Sequence, residues 1–68
     1  MTDTKAMLGK QIRSLRRMND LSQEQLSERA SISAKYVGEV ERGNANITVD
    51  ILERISTALS VDMPDLFD

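Results

Sequence analysis

The sequence predicts an all-α fold, a compact bundle of five short helices, and three observations carry that expectation. Apolar residues recur three and four apart rather than in alternation. Serine, threonine and aspartate stand where helices need N-terminal caps. Runs rich in valine, isoleucine and threonine are too short to build a sheet, and no repeat or Pro/Gly-rich linker divides the chain, whose single proline is Pro64 and whose glycines are Gly9, Gly38 and Gly43.

The first helix is expected over about residues 4–18, with Leu8, Ile12 and Leu15 on one face and basic residues around the rest. Asn19 and Asp20 end it, since both tolerate the left-handed backbone conformation. Ser22 followed three residues later by Gln25 is a capping box, in which each side chain satisfies the other residue's exposed N–H. It opens a second helix over about 23–29 that buries Leu26 and Ala30. The segment Ser31, Ile32, Ser33 is a tight turn, and Ser33 caps a third helix over about 34–42 that Gly43 stops. After a loop from Asn44 to Ile47, Thr48 caps a fourth helix over about 49–59, whose Val49, Leu52, Ile55 and Leu59 complete the core. A short fifth helix over 63–67 begins around Pro64, with carboxylates at its positive end, and docks Leu66 or Phe67.

Composition narrows the possible functions. The 68 residues make a single domain over 1–68, near the lower size limit for a fold without metal or disulfide. Cysteine and histidine are both absent, which removes disulfides, thiolate nucleophiles, imidazole bases and zinc sites built on sulfur or imidazole. With no such groups and so small a core, an enzyme is the weakest reading, and no cofactor or small-molecule ligand is expected. No segment approaches the roughly eighteen consecutive apolar residues of a membrane span, so no membrane partner is expected. The net charge is −2, but it is unevenly placed. Lys5, Lys10, Arg13, Arg16 and Arg17 face only Asp3 in residues 1–17, whereas Arg54 stands against Asp50, Glu53, Asp62, Asp65 and Asp68 in residues 45–68. A basic face can meet phosphates while an acidic, apolar end meets protein, or the two ends can attract each other within a monomer.

Two short helices joined by a three- or four-residue turn form the arrangement that enters the DNA major groove. Leu21, Ser22, Gln23, Glu24, Gln25 and Leu26, then Ile32, Ser33, Tyr36, Val37 and Val40, then Glu41, Arg42 and Gly43 resemble the Cro/cI-type helix-turn-helix family. Leu52, Ile55, Ala58, Leu59 and Val61, ending in Asp65, Leu66 and Phe67, extend the likeness to about residues 8–67. The resemblance implies a lambda-repressor-like DNA-binding domain: a cytoplasmic, sequence-specific transcription regulator that binds double-stranded DNA, usually as a symmetric dimer. Ser31 and Asp20 depart from the pattern by standing where the family usually has glycine.

On this resemblance Ala34, Lys35, Gly38 and Glu39, opposite Val37 and Val40, occupy base-reading positions. Lys35 can donate to guanine O6 and N7, Glu39 can accept from cytosine N4, and the Ala34 methyl can touch a thymine methyl. Alternatively, Lys35 and Glu39, four residues apart, form only a surface ion pair. Gly38 weakens a helix interior, which close approach either to DNA or to a neighbouring helix would offset. Gln23, at a helix start, can hold a phosphate or be an ordinary first-turn residue. Ser33, Tyr36, Arg42 and Asn44, with Arg13 and Arg17, are further phosphate candidates. For Tyr36 the alternative is packing alone, and for the cations a solvated basic face. Arg16 and Glu41 match positions that pair structurally in related domains, orienting the third helix.

Ile47, Ile51, Met63 and Phe67 are apolar residues in the acidic C-terminal third and suggest a dimer surface, unless they merely close a small monomeric core. A two-fold dimer would set recognition helices about 34 Å apart, matching half-sites one helical turn apart on a pseudopalindrome. The competing reading keeps the fold but makes the chain an antitoxin or adaptor-type protein-interaction module whose acidic C-terminal surface does the work.

Overall fold

A computed structural model describes residues 3–67; Met1, Thr2 and Asp68, which the expected domain includes, lie outside the described residues. Four α-helices follow one another: α1 (Thr4–Met18), α2 (Gln23–Ala30), α3 (Ala34–Glu41) and α4 (Val49–Ala58). The expected fifth helix is a 3-10 helix, Met63–Phe67. Five residues give less than two turns of α-helix, and the segment instead tightens, with the Asp65 N–H donating to the Asp62 carbonyl oxygen at 2.9 Å.

Each α-helix starts at a side chain that satisfies its free N–H groups. Asp3, which sequence reading did not single out, accepts from the Lys5 and Ala6 backbone at 3.1 and 3.4 Å. The capping box forms as expected: Ser22 Oγ accepts from Gln25 N at 3.0 Å, and Gln25 Oε1 accepts from Ser22 N at 2.8 Å. Ser33 Oγ accepts from Tyr36 N, and Thr48 Oγ1 from Ile51 N.

The helix ends are less conventional. Asp20, Ser31 and Ser60 adopt φ of 55°, 57° and 59°. Asn19 does not share that conformation with Asp20; its φ is −93°, and its side-chain amide instead donates to the Leu15 carbonyl oxygen at 2.8 Å. An L-residue in left-handed geometry costs roughly 1 kcal/mol or more because Cβ crowds the following carbonyl. Ser31→Gly is therefore expected to raise stability by about 0.5–1 kcal/mol, part of the relief being offset by glycine's freer unfolded chain. A urea midpoint moving upward checks it; an unchanged or lower midpoint counts against strain at this turn.

One core gathers all the helices. Ile12, Leu26, Ile55, Leu59 and Leu66 are the largest fully buried side chains, joined by Val37 and Val40 of α3. Leu66, not Phe67, is the residue that the terminal turn docks, against α1 and α4. Val49 is a correction to the expected core, since it is 70% exposed. It is the first residue after the Thr48 cap, so its turn overhangs the bundle edge although its helical phase matches Leu52. Ala45, from the loop before α4, is buried in the core.

Candidate nucleic-acid interface

The arrangement of α1 and α3 sets the interface. Gly9 brings the helices close: a Cβ built there would stand 2.7 Å from the Glu41 carbonyl oxygen and nearer still to that of Val40. One turn pair further along α1, Arg16 reaches the end of α3. Its Nε and Nη2 donate to the two Glu41 carboxylate oxygens at 2.6 and 3.0 Å, and Nη1 donates to the Leu21 carbonyl oxygen at 2.7 Å. The Arg16 and Glu41 side chains are only 11% and 4% exposed. Hydrogen bonding to Glu41 raises the Arg16 pKa above its ordinary value against the opposing effect of burial, so the guanidinium stays charged. This is the structural pair expected from the sequence, extended by one member: Gln23 Nε2 donates to Glu41 Oε1 at 3.2 Å. The network thus ties α1, the start of α2 and the end of α3 together.

On the outward side of α3, Lys35 is exposed and Ala34 and Glu39 are half-buried. Ion pairs among the described residues are Arg16 with Glu41 and Arg54 with Asp50; Lys35 and Glu39 do not form one. Gly38 is buried, unlike the other three. The tips of Arg42 and Gln23 cover it, with Arg42 Nη1 3.2 Å and Gln23 Oε1 3.7 Å from where a Cβ would stand. Of the two ways to offset a helix-interior glycine, close approach to DNA or to a neighbouring helix, what lies over Gly38 is a side chain of the neighbouring α2, Gln23, together with the Arg42 tip of α3 itself.

The other phosphate candidates fall in separate places. Ser33 Oγ is engaged as the α3 cap, and Asn44 is exposed just beyond Gly43. The Tyr36 ring is half-buried against the core and its hydroxyl donates to the Asn46 carbonyl oxygen at 3.1 Å. Arg13 and Arg17, with Lys10, Ser14 and Met18, line an open basic depression along α1 that includes no α3 residue. Sequence reading missed Asn46, whose side-chain oxygen also accepts from Lys5 Nζ, because a loop asparagine carries no sign of what it will meet. It missed Gly9 because a glycine in a helical pattern does not reveal which backbone crosses it.

The apolar residues expected at a dimer surface are only partly brought together. Ile47 and Phe67 line one cleft with Leu8, Leu52 and the start of α1. Ile51 and Met63 are half-buried and pack partly on the core. Phe67 is 49% exposed, and Val49 joins it as an unexpected exposed hydrophobe.

A capped short helix, a tight turn and a second helix held with one face outward define a helix-turn-helix protein. The chain belongs to the HTH_3 helix-turn-helix family, which it matches over residues 12–66. It is 41% identical over 64 residues to control protein C.SmaI of Serratia marcescens, covering 94% of this chain and 76% of that one. It is 35% identical over 63 residues to control protein C.BamHI of Bacillus amyloliquefaciens, covering 91% and 78% of the two chains. Among solved structures, the restriction-modification controller protein C.AhdI from Aeromonas hydrophila superposes with a TM-score of 0.90 at 35% identity, covering 91% of this chain and 94% of that one. The chain is a DNA-binding transcription regulator of the helix-turn-helix family rather than an enzyme.

Proposed function

We propose that this regulator reads a pseudopalindromic operator as a two-fold homodimer, each subunit placing α3 in the major groove, in the manner of a control protein. The observation that carries the reading is the Arg16–Glu41–Gln23 network, which holds α3 in one orientation with Lys35 outward and the first turn of α2 beside it. A helix fixed in this way presents its side chains to base edges without first having to be ordered. The similarity to C.SmaI and C.AhdI supports the control-protein assignment.

In this reading Lys35 donates to guanine, Glu39 accepts from cytosine N4 and the Ala34 methyl meets a thymine methyl. Gln23, Arg42, Asn44 and Ser33 contact phosphates around α3, Tyr36 does so on turning its hydroxyl from the Asn46 carbonyl oxygen, and Arg13 and Arg17 add a basic flank from α1. Ile47, Ile51, Met63 and Phe67 form the subunit contact, and the protein works in the cytoplasm.

Selection of bound sites from random duplex DNA with the purified protein tests the reading. The expected outcome is an inverted repeat with half-sites one helical turn apart, bound more weakly as salt rises. Lys35→Ala is expected to lower affinity for the selected duplex by about tenfold or more and to relax the preference at one base pair per half-site. A uniform loss with unchanged preference would reassign Lys35 to a phosphate. No enriched sequence at low salt would favour the protein-interaction reading through the acidic C-terminal third.

A further inference from the structure

We propose that Gly38 is a positioning residue: it is the seat on which the Arg42 guanidinium folds back along α3 toward the Gln23 side-chain oxygen, so that the guanidinium is held ready for one DNA phosphate. The proposal rests on the DNA reading above and deepens it.

Arg42 is the C-terminal cap of α3, one turn beyond Gly38. Long side chains on a helix lean toward its N-terminus, which carries the Arg42 tip back over residue 38 instead of off the end of the helix. At the position a Gly38 Cβ would take, Arg42 Nη1 and Nη2 stand 3.2 and 3.7 Å away and Gln23 Oε1 stands 3.7 Å away. The glycine is buried, and these two tips are the atoms nearest to the space its side chain would take. Gln23 is itself aimed: its Nε2 donates to Glu41 Oε1, which leaves the Gln23 carbonyl oxygen, an acceptor, on the side of the seat where the Arg42 donors lie. Glu41 is in turn held by Arg16, so the arrangement is anchored in the core.

The chemistry suits a phosphate. Arg42 is exposed and forms no ion pair among the described residues, so its planar fork of donors remains available. Two guanidinium N–H groups match two phosphate oxygens, provided the plane is held in place before the DNA arrives. A methyl at residue 38 would crowd Nη1, and a branched side chain would fill the seat and free the arginine.

The test combines binding with a measurement on the free protein. On the duplex selected by the native chain, Arg42→Ala is expected to weaken binding about tenfold and to reduce the salt slope by about 1. Gly38→Val is expected to approach that loss, and Gly38→Ala to weaken binding about threefold while keeping or raising the thermal midpoint. In an Arg42→Ala background both Gly38 changes should cost less than about twofold. Equal losses in that background would show that Gly38 itself faces DNA, and no loss in either would show that the seat is not needed; each overturns the proposal. In the free protein, nitrogen-15 relaxation of the Arg42 Nε–H should report a restricted side chain, released by Gly38→Val. Equal mobility in both overturns the seat directly. Should the native chain select no duplex, the DNA reading and the phosphate role fall together, while relaxation still decides whether the seat exists.

Discussion

Replacing Arg16 with methionine is expected to destabilise the fold by about 3–5 kcal/mol, the range for removing one partner of a buried pair. Glu41 would keep its position, with a side chain only 4% exposed, but would lose both guanidinium bonds. The Leu21 carbonyl oxygen would lose its 2.7 Å donor as well. Gln23 would remain as the carboxylate's side-chain donor, and it is neutral. The double change Arg16→Met, Glu41→Leu removes both charges and should recover much of the loss, since well-packed apolar side chains often replace a buried pair without penalty. Urea unfolding of the three chains checks this. A single variant within about 1 kcal/mol of native would mean that the pair contributes no more than an exposed one. The raised Arg16 pKa also sets a pH expectation. A group whose folded pKa lies above its unfolded value contributes fully below the unfolded value and loses that contribution only as pH rises through the folded one. Arg16 already titrates in strong alkali when unfolded, so its share of stability should be flat across the neutral range.

Gly9→Ala is expected to destabilise by about 1–3 kcal/mol, the usual cost of forcing a methyl into a filled contact. Helix propensity alone argues the opposite, a gain of roughly 0.5–1 kcal/mol for alanine over glycine within α1. Packing decides the sign, because the new Cβ would lie 2.7 and 2.9 Å from the Glu41 carbonyl oxygen and carbon, and closer to that of Val40. Backbone atoms inside a helix cannot retreat singly, so α1 and α3 must separate as bodies, stretching the Arg16 contacts two turns further along the same face. For a domain of this size a loss of 1 kcal/mol lowers the thermal midpoint by about 4–8 °C. A midpoint that rises instead would show that the two helices part at little cost. Gly38→Ala is the internal comparison, since it meets only side-chain tips.

Much of this molecule was legible before its structure. The serine and threonine caps at Ser22, Ser33 and Thr48 are local signals, readable because each depends on residues no more than three positions away. The boundaries of α1 to α4 accordingly fell within one residue of expectation. The left-handed residue Asp20 was legible for the same reason, and Ser31 through the family resemblance, which puts a glycine at its position; Ser60 had neither signal, because serine has no marked preference for that conformation. The exposure of Val49 was not legible, since its phase is that of a core residue and only the bundle's edge shows that nothing lies beneath it. The Arg16–Glu41 pair followed from family resemblance, but Gln23 joining it did not. A glutamine that opens a helix looks the same whether it meets solvent, phosphate or a neighbouring carboxylate.

The sequence by itself determined the class of fold, the order and ends of the helices, and the family, because caps, turns and apolar period are written in short stretches of chain. Only the tertiary structure decided which glycine lets two backbones approach and which lies beneath the Arg42 and Gln23 tips, since Gly9 and Gly38 are identical residues in helical settings. It also decided that Lys35 and Glu39, four apart on one helix, stay unpaired, and that Gln23 joins the Arg16–Glu41 pair. The reason is that burial and partner choice depend on surfaces that meet only when α1 crosses α3, and no local pattern encodes the angle or depth of that crossing.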